Sequence, residues 1–246
     1  MQNDLNIFLN PKWKSANYDF RLAASQELSE LIDQLPWKWW KASINVDMAQ
    51  AKLEVVDITH FIIADMLKYF EKPELVARLI LDTKMKYDEA RVTKAAKKPV
   101  SDSETNCYAG PKTDETVNYQ ELIKKTFQLQ ARLVNCSVLY LPDVLIELWE
   151  VYDLKLEEIA KIYFSKNTLN IFRYKNGYRE GTYIKQWGNQ ENDTTTKFHL
   201  FEDNVILHDI VTKELAHHNW LIPDTRTELY ALLEKKYQRA VMGLIR

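Results

Sequence analysis

KLEVVDITHFIIADML, residues 52–67, is apolar around most of its circumference and yet carries Glu54 and Asp57. A helix that is apolar all round belongs in a core. Three-residue spacing sets both carboxylates on one face, where burial would force them either to take up protons or to be held by a cation. A matching pair stands upstream. In ELSELIDQLPWKWWK, residues 27–41, Glu27 and Glu30 are again three apart, while Leu28, Leu31, Ile32 and Leu35 fall at helical spacing. Packed antiparallel, the two helices would bring four carboxylates together, and all-oxygen ligation of such a site favours Mg²⁺ or Mn²⁺ over zinc. An E-x-x-E pair by itself is ordinarily a solvated helix face; E-x-x-D inside an apolar helix carries more weight. His60, one turn beyond Asp57, is equally a core histidine or a ligand.

Outward from these helices the chain reads as all-α. Only 5 Gly and 7 Pro punctuate 246 residues, apolar residues recur at i, i+3, i+4 and i+7, and strand signals are nearly absent. The periodicity predicts helices over 22–36, 46–71, 73–91, 118–139, 142–151, 154–174, 206–217 and 224–243. They make one helical-bundle domain, 1–246, interrupted at 92–118 by VTKAAKKPVSDSETNCYAGPKTDETVN. That stretch is polar and aperiodic, which predicts a mobile insertion. With 33 Lys+Arg against 35 Asp+Glu the net charge is -2, so no broad basic surface for nucleic acid is implied. There is no signal-type start and no apolar run of about 18 residues, so a soluble, cytoplasmic protein without a membrane partner is expected. Cys107 and Cys136 match no metal-ligand spacing and read as free thiols.

A cationic stripe follows the carboxylates. In SKNTLNIFRYKNGYREGTYIKQW, residues 165–187, Lys166, Asn170 and Arg173 stand at i, i+4 and i+7 and share a helix face. Arginine gives bidentate contacts and lysine a point charge, a combination suited to polyphosphate oxygens. Tyr178, Tyr183 and Lys185 come next, in a loop punctuated by Gly177, Gly181 and Gly188. A stripe of this kind is otherwise a solvated helix face; the clustered glycines argue for a shaped loop.

ELSELID with QLPWKWWK, then LEVVDITHF, then LNIFRYKNGYREGTYIKQW resemble the all-α, dimeric dUTPases, relatives of the MazG-like and dCTPase nucleotide pyrophosphatases. The two carboxylate motifs belong to the whole superfamily, whereas the tryptophan–lysine segment and the long NGY motif are specific to the dimeric dUTPase branch. The family closes its last motif with an acidic, asparagine-containing segment soon after the tryptophan. Glu191-Asn192-Asp193 is one alignment; Glu202-Asp203-Asn204, allowing about ten inserted residues, fits the pattern better. Upstream, Gln2, Asn6 and Asn10 resemble the family's first-helix amides, and Trp13 a nearby tryptophan.

The resemblance implies hydrolysis of dUTP, with dUDP as a second substrate, to dUMP and pyrophosphate or phosphate. Two or three Mg²⁺ ions, with Mn²⁺ as the alternative, would be held by Glu27, Glu30, Glu54 and Asp57, with Glu27 or Glu30 orienting or deprotonating the attacking water. Lys166, Asn170, Arg173, Tyr178, Lys185, Asp203 and Asn204 would hold phosphates, with 175–204 as a flexible phosphate-binding loop. Gln2, Asn6, Asn10, Trp37, Trp40, Lys41 and His60 would surround the base and sugar. Trp37, Trp39 and Trp40 cannot all face one pocket, so at least one should serve the core or a subunit interface. A homodimer joined by helices is the expected assembly. Three alternatives stand beside this reading. One is a dCTPase or broader deoxynucleotide pyrophosphatase, and one is a non-catalytic nucleotide-binding helical module. The third is an HD-type phosphohydrolase built on His208-Asp209, for which His199, His217 and His218 offer no convincing ligand arrangement.

Overall fold

A computed structural model describes residues 1–38, 40, 46, 48–96, 118–187, 201–220 and 222–244. Its helices are α1 (Gln2–Leu9), α2 (Phe20–Asp33), α3 (Met48–Phe70), α4 (Pro73–Ala96), α5 (Tyr119–Asn135), α6 (Leu141–Val151), α7 (Leu156–Lys175), α8 (Asp203–Asp209) and α9 (Pro223–Leu244). The described strands are β1 (Gln186–Trp187) and β2 (Phe201–Glu202). The all-α expectation holds. Most of the predicted insertion, residues 97–117, lies outside the described residues, and Val92–Ala96 closes α4.

The chain groups into two compact units, Asn17–Leu154 and Met1–Ala16 with Lys155–Arg246. In the first, α2 and α3 form an antiparallel pair. Arg21 Nε donates to Asp65 Oδ2 at 2.8 Å and Lys68 Nζ to the Tyr18 carbonyl at 3.1 Å, so the start of α2 lies against the end of α3. Asp19 caps α2, its Oδ1 accepting from the Leu22 amide at 2.9 Å, which satisfies a donor the helix cannot use internally. Helix α3 stops where Glu71 takes a left-handed φ of 63°, and Pro73 opens α4. The core of this unit draws Leu28, Leu31 and Ile32 from α2, Val55, Ile58 and Ile62 from α3, and Leu145 and Trp149 from α6. Trp149 Nε1 donates to Thr59 Oγ1 at 3.0 Å, so the one polar atom of that indole is satisfied.

In the second unit α7 lies between α1 and α9. Phe172 of α7 is buried among Tyr183, Trp187, Tyr230 and Tyr237, with ring centroids 5.4–6.3 Å apart. After α7 the chain turns at Gly177, where φ is +88° and a Cβ would stand 2.0 Å from Thr182 Oγ1, so a side chain there would need both a left-handed backbone and a shift of Thr182. Gln186 and Trp187 then pair with Glu202 and Phe201 in antiparallel register. That pairing is what returns Asp203 and Asn204 to α7. The predicted 206–217 helix divides into α8 and a π-helical turn, Ile210–Glu214.

Candidate active site

The antiparallel pairing of α2 and α3 determines where the acidic motifs meet. Because α2 and α3 run in opposite directions, the second half of α2 lies against the first half of α3. One ligand oxygen from each of Glu27, Glu30 and Glu54 falls within 4.8 Å of the others. Glu54 is buried, Glu27 half-buried and Glu30 exposed, so the group opens to solvent from a buried base. Gln50, one turn before Glu54, donates to Glu54 Oε1, and Gln26 Nε2 approaches Glu30 Oε1 at 3.5 Å. Asp57 is half-buried one turn further along α3 and lies outside the 4.8 Å group. The donor set suits a hard divalent cation. Around Mg²⁺ adjacent oxygens stand about 3 Å apart and opposite ones about 4.2 Å, from a metal–oxygen distance of about 2.1 Å, so three oxygens within 4.8 Å would draw inward to ligate one ion. His60 is buried on the same helix.

Beyond α2 the aromatic segment is anchored at Trp37. Its Nε1 donates to Asp33 Oδ1 at 3.2 Å, and its ring meets Phe127 of α5 edge-on at 5.7 Å. Lys38 Nζ sits 5.2 Å from the same ring and pairs with Asp33 at 2.5 Å. Trp40 packs edge-on against Trp37 at 5.4 Å and stays 56% exposed. Trp37 therefore has a packing role, and Trp40 offers the larger free surface. Trp39 and Lys41 lie outside the described residues.

In the other unit, Lys166, Asn170 and Arg173 do share a face of α7, and Asp203 and Asn204 meet them there. Arg173 grips Asp203 with two hydrogen bonds, Nε to Oδ2 at 2.7 Å and Nη2 to Oδ1 at 2.6 Å. The Tyr183 hydroxyl donates to the same carboxylate at 2.8 Å. Asn204 Oδ1 accepts from Lys166 Nζ at 3.2 Å and from Arg173 Nη2 at 3.3 Å. Tyr178 lays its ring 5.8 Å from the guanidinium. Lys185 sits at the edge, 3.5 Å from Glu202 Oε2. Burial opposes the charge of Arg173, but the hydrogen bonds and charge of Asp203 outweigh it and raise the arginine above its ordinary pKa. Burial, with the Asp203 carboxylate next, pushes the Tyr183 phenol up as well, so it remains a donor. Of the two alignments, the favoured one places Glu202-Asp203-Asn204 against this face; Glu191–Asp193 lies outside the described residues.

Gln2 and Asn6 occupy one stripe of α1 and are joined, Gln2 Nε2 donating to Asn6 Oδ1 at 2.9 Å. Asn10 is the C-cap of α1, and its Oδ1 accepts from the Lys12 amide at 3.0 Å. Tyr163 of α7, which is not among the candidate residues of the sequence, donates its hydroxyl to Gln2 Oε1 at 2.7 Å. Its only sequence signal is position: it precedes Lys166 by three residues on the same helix. The HD reading finds no support among the described residues. Asp209 pairs with Lys213 at 3.0 Å and His218 with Glu228 at 3.1 Å, and among the described residues the acidic group on α2 and α3 is the one cluster arranged to hold a metal.

The dUTPase family model matches residues 1–178. The chain belongs to the dUTPase family. Membership makes it a hydrolase of the dUTP diphosphatase class, and the matched segment contains the three gathered carboxylates and the α7 stripe. Comparison with curated proteins gave no match. No described helix of this dUTPase family member is long and apolar enough to cross a membrane.

Proposed function

We propose that the chain hydrolyses dUTP to dUMP and pyrophosphate with Mg²⁺ as cofactor, and dUDP to dUMP and phosphate. The observation that carries this is the convergence of Glu27, Glu30 and Glu54 within 4.8 Å in a chain of the dUTPase family. These three would hold the metal, with Asp57 completing the set. Bound there, Mg²⁺ would supply a Lewis acid for the phosphate oxygens and a water of lowered pKa. Glu27, half-buried beside that position, orients the water and accepts its proton.

The α7 face supports the other half of the chemistry. Lys166, Asn170, Arg173, Asn204 and Lys185 present donors suited to the phosphates that depart, and Tyr178 flanks the arginine. Asp203 acts differently. Fully buried and twice bonded to Arg173, it orients the guanidinium and keeps it charged; a carboxylate would repel phosphate directly. Gln2 and Asn6 read the base. A homodimer is the assembly we infer, and α4 offers a surface for it: Leu81, Met85 and Val92 form an exposed apolar stripe at i, i+4 and i+11.

Side-by-side turnover of dUTP, dUDP, dCTP and dTTP, with Mg²⁺ and with EDTA, tests the reading. Release of pyrophosphate from dUTP that stops in EDTA is expected. Equal rates on dCTP would move the assignment to a broader pyrophosphatase, and nucleotide binding without product would make the chain a non-catalytic module.

A further inference from the structure

Within the second unit a groove of about 450 Å³ runs between α7 and α9, a volume inside the range of about 300 to 1,000 Å³ typical of small-molecule sites. Asn167, Thr168 and Ile171 of α7 form its floor. Asn167 and Ile171 each follow a member of the cationic stripe, Lys166 and Asn170, by one residue, which turns them about 100° round the helix from it. The wall is one stripe of α9, with Arg226, Tyr230, Ala231 and Glu234 at i, i+4, i+5 and i+8. That wall lies beyond residue 178, where the dUTPase family match ends, so family membership assigns nothing to the groove.

The groove carries unused polar groups in a definite order. Asn167 is 3% exposed, and its Nδ2 is buried with no acceptor among the described residues. A buried donor without a partner is destabilising and calls for an explanation. Its carboxamide makes no hydrogen bond at either end among the described residues, so a half-turn about the terminal bond, which exchanges two ends of nearly the same shape, can present the N–H to whatever fills the groove. Arg226 packs its guanidinium 5.7 Å from the Phe164 ring, and its Nη1 meets Met1 Sδ, a weak acceptor, at 3.2 Å. Among the described residues it bonds no carboxylate, and Asp4 acts on it through space alone. Phe164 stands one turn before Asn167 and Thr168, whereas Tyr230 lies against Phe172 and Lys175, so Arg226 and Asn167 belong to the same end. Eight residues along α9 from Arg226, about 12 Å, stands Glu234. It is exposed, has no ion pair among the described residues, and its charge acts on the Tyr230 phenol. Tyr230, Ala231 and Ile171 make the stretch between apolar. Donors at one end, an apolar middle and an anionic acceptor at the other describe the complement of the ligand.

We propose that this groove is a second nucleotide site, which takes a nucleoside monophosphate whose base carries an exocyclic amine, with phosphate on Arg226 and Asn167, sugar and ring along Tyr230 and Ile171, and the amine on Glu234. Arginine suits phosphate oxygens because its planar fork can give two parallel hydrogen bonds. Cytosine and adenine carry a donor amine, whereas uracil carries a carbonyl oxygen at the place where cytosine has its amine. Against Glu234, uracil would set acceptor against acceptor. The groove therefore discriminates against dUMP, and it does so whether or not the chain hydrolyses dUTP.

The experiment is calorimetric titration of the full chain with dCMP, dAMP, dUMP and inorganic phosphate, in Mg²⁺ and a saturating non-hydrolysable dUTP analogue that occupies the catalytic site. dCMP or dAMP should bind at one site per chain, about fivefold or more tighter than dUMP, the worth of an exposed charged contact, and the tighter of the two identifies the base. Glu234→Gln should erase that preference. Ala231→Trp, which fills the groove from an exposed position, should remove the binding while keeping the wild-type melting temperature and dUTP turnover. The proposal is overturned if neither amino nucleotide binds, or if their binding survives in folded Ala231→Trp. Binding of dUMP or phosphate as tight as that of dCMP and dAMP overturns it too, since the groove would then read no more than an oxyanion. Should Ala231→Trp not fold, an unchanged preference in Glu234→Gln overturns it instead. If dUTP is not turned over and its analogue does not bind, the hydrolase reading fails by itself, and the same titrations without the analogue still decide the groove.

Discussion

The two charged clusters of this chain are built on opposite plans. On α2 and α3, Glu27, Glu30 and Glu54 bring three carboxylate oxygens within 4.8 Å of one another, an arrangement in which like charges repel. On α7, each charge meets an opposite or a polar neighbour: Arg173 holds Asp203 by two bonds, and Lys166 and Arg173 share Asn204. The first cluster gains stability when a cation arrives; the second is assembled by the fold itself. Removing a member should therefore have opposite consequences for stability in the two places, even where both removals stop turnover.

The sharpest contrast comes from Glu54→Gln, and separately Glu30→Gln. Each should lower kcat for dUTP by 10³-fold or more, about 4 kcal/mol at the transition state, because a negative ligand is lost from a site built around cations. The melting temperature in EDTA should not fall, since repulsion is relieved, and the rise in melting temperature on adding Mg²⁺ should disappear. Near wild-type turnover at saturating Mg²⁺ in either variant would remove the acidic cluster from the mechanism.

Asp203→Ala is the counterpart. Its side chain is 0% exposed and that of Arg173 12%, so the substitution strands a buried cation. Stranding one member of such a pair costs about 3 to 5 kcal/mol. Urea unfolding should show that loss with or without Mg²⁺, and triphosphate binding should weaken because Arg173 loses its orientation. If Asp203→Ala unfolds at the wild-type urea midpoint, the α7 cluster is not the prebuilt one of the two.

How far each cluster was legible in the sequence follows from the same difference. Glu27, Glu30, Glu54 and Asp57 stand out because carboxylates at i and i+3 on apolar helices break a local pattern, and helix periodicity is the strongest signal a sequence carries. Three of them meet as the antiparallel packing requires. The Arg173–Asp203 bond joins residues thirty positions apart, through a strand pair of two residues on each side. Nothing that short has a recognisable pattern; only the family resemblance suggested that Glu202-Asp203-Asn204 belonged there. Tyr163 was hidden for another reason. On a helix with a buried face an aromatic residue reads as core, and its hydroxyl partner lies 161 positions away on α1. The division into two units was likewise unmarked, since the boundaries at Ala16 and Leu154 fall in ordinary sequence without a Gly- or Pro-rich linker.

A smaller effect tests the turn that leads out of α7. Gly177→Ala would place a methyl group 2.0 Å from Thr182 Oγ1 at a φ of +88°. The left-handed backbone alone costs about 1 to 2 kcal/mol for a residue with a side chain. Thr182 can rotate away, so the loss should stay near that figure by urea unfolding. Because Tyr183 follows at once, KM for dUTP should rise as well. A variant as stable as the wild type would mean that this turn does not set the position of the Asp203 clamp.

Lys185 should give the smallest change in stability and the cleanest separation of stability from binding. Its ammonium lies 3.5 Å from Glu202 Oε2, and the two side chains are 46% and 52% exposed. Exposed pairs of this kind contribute about 0 to 1 kcal/mol, so Lys185→Ala should unfold within about 0.5 kcal/mol of the wild type. Binding is another matter if the residue serves the phosphates. A triphosphate brings more negative charge than one carboxylate, and the lysine sits on the residue next to β1, beside the Asp203 backbone that donates to its carbonyl at 3.0 Å. KM for dUTP should therefore rise several-fold while the affinity for dUMP changes little. The difference should shrink as ionic strength increases, because screening weakens exposed charge contacts first. Equal losses for dUTP and dUMP, or a difference indifferent to salt, would place Lys185 outside the phosphate-binding group and leave that role to the buried cations of α7.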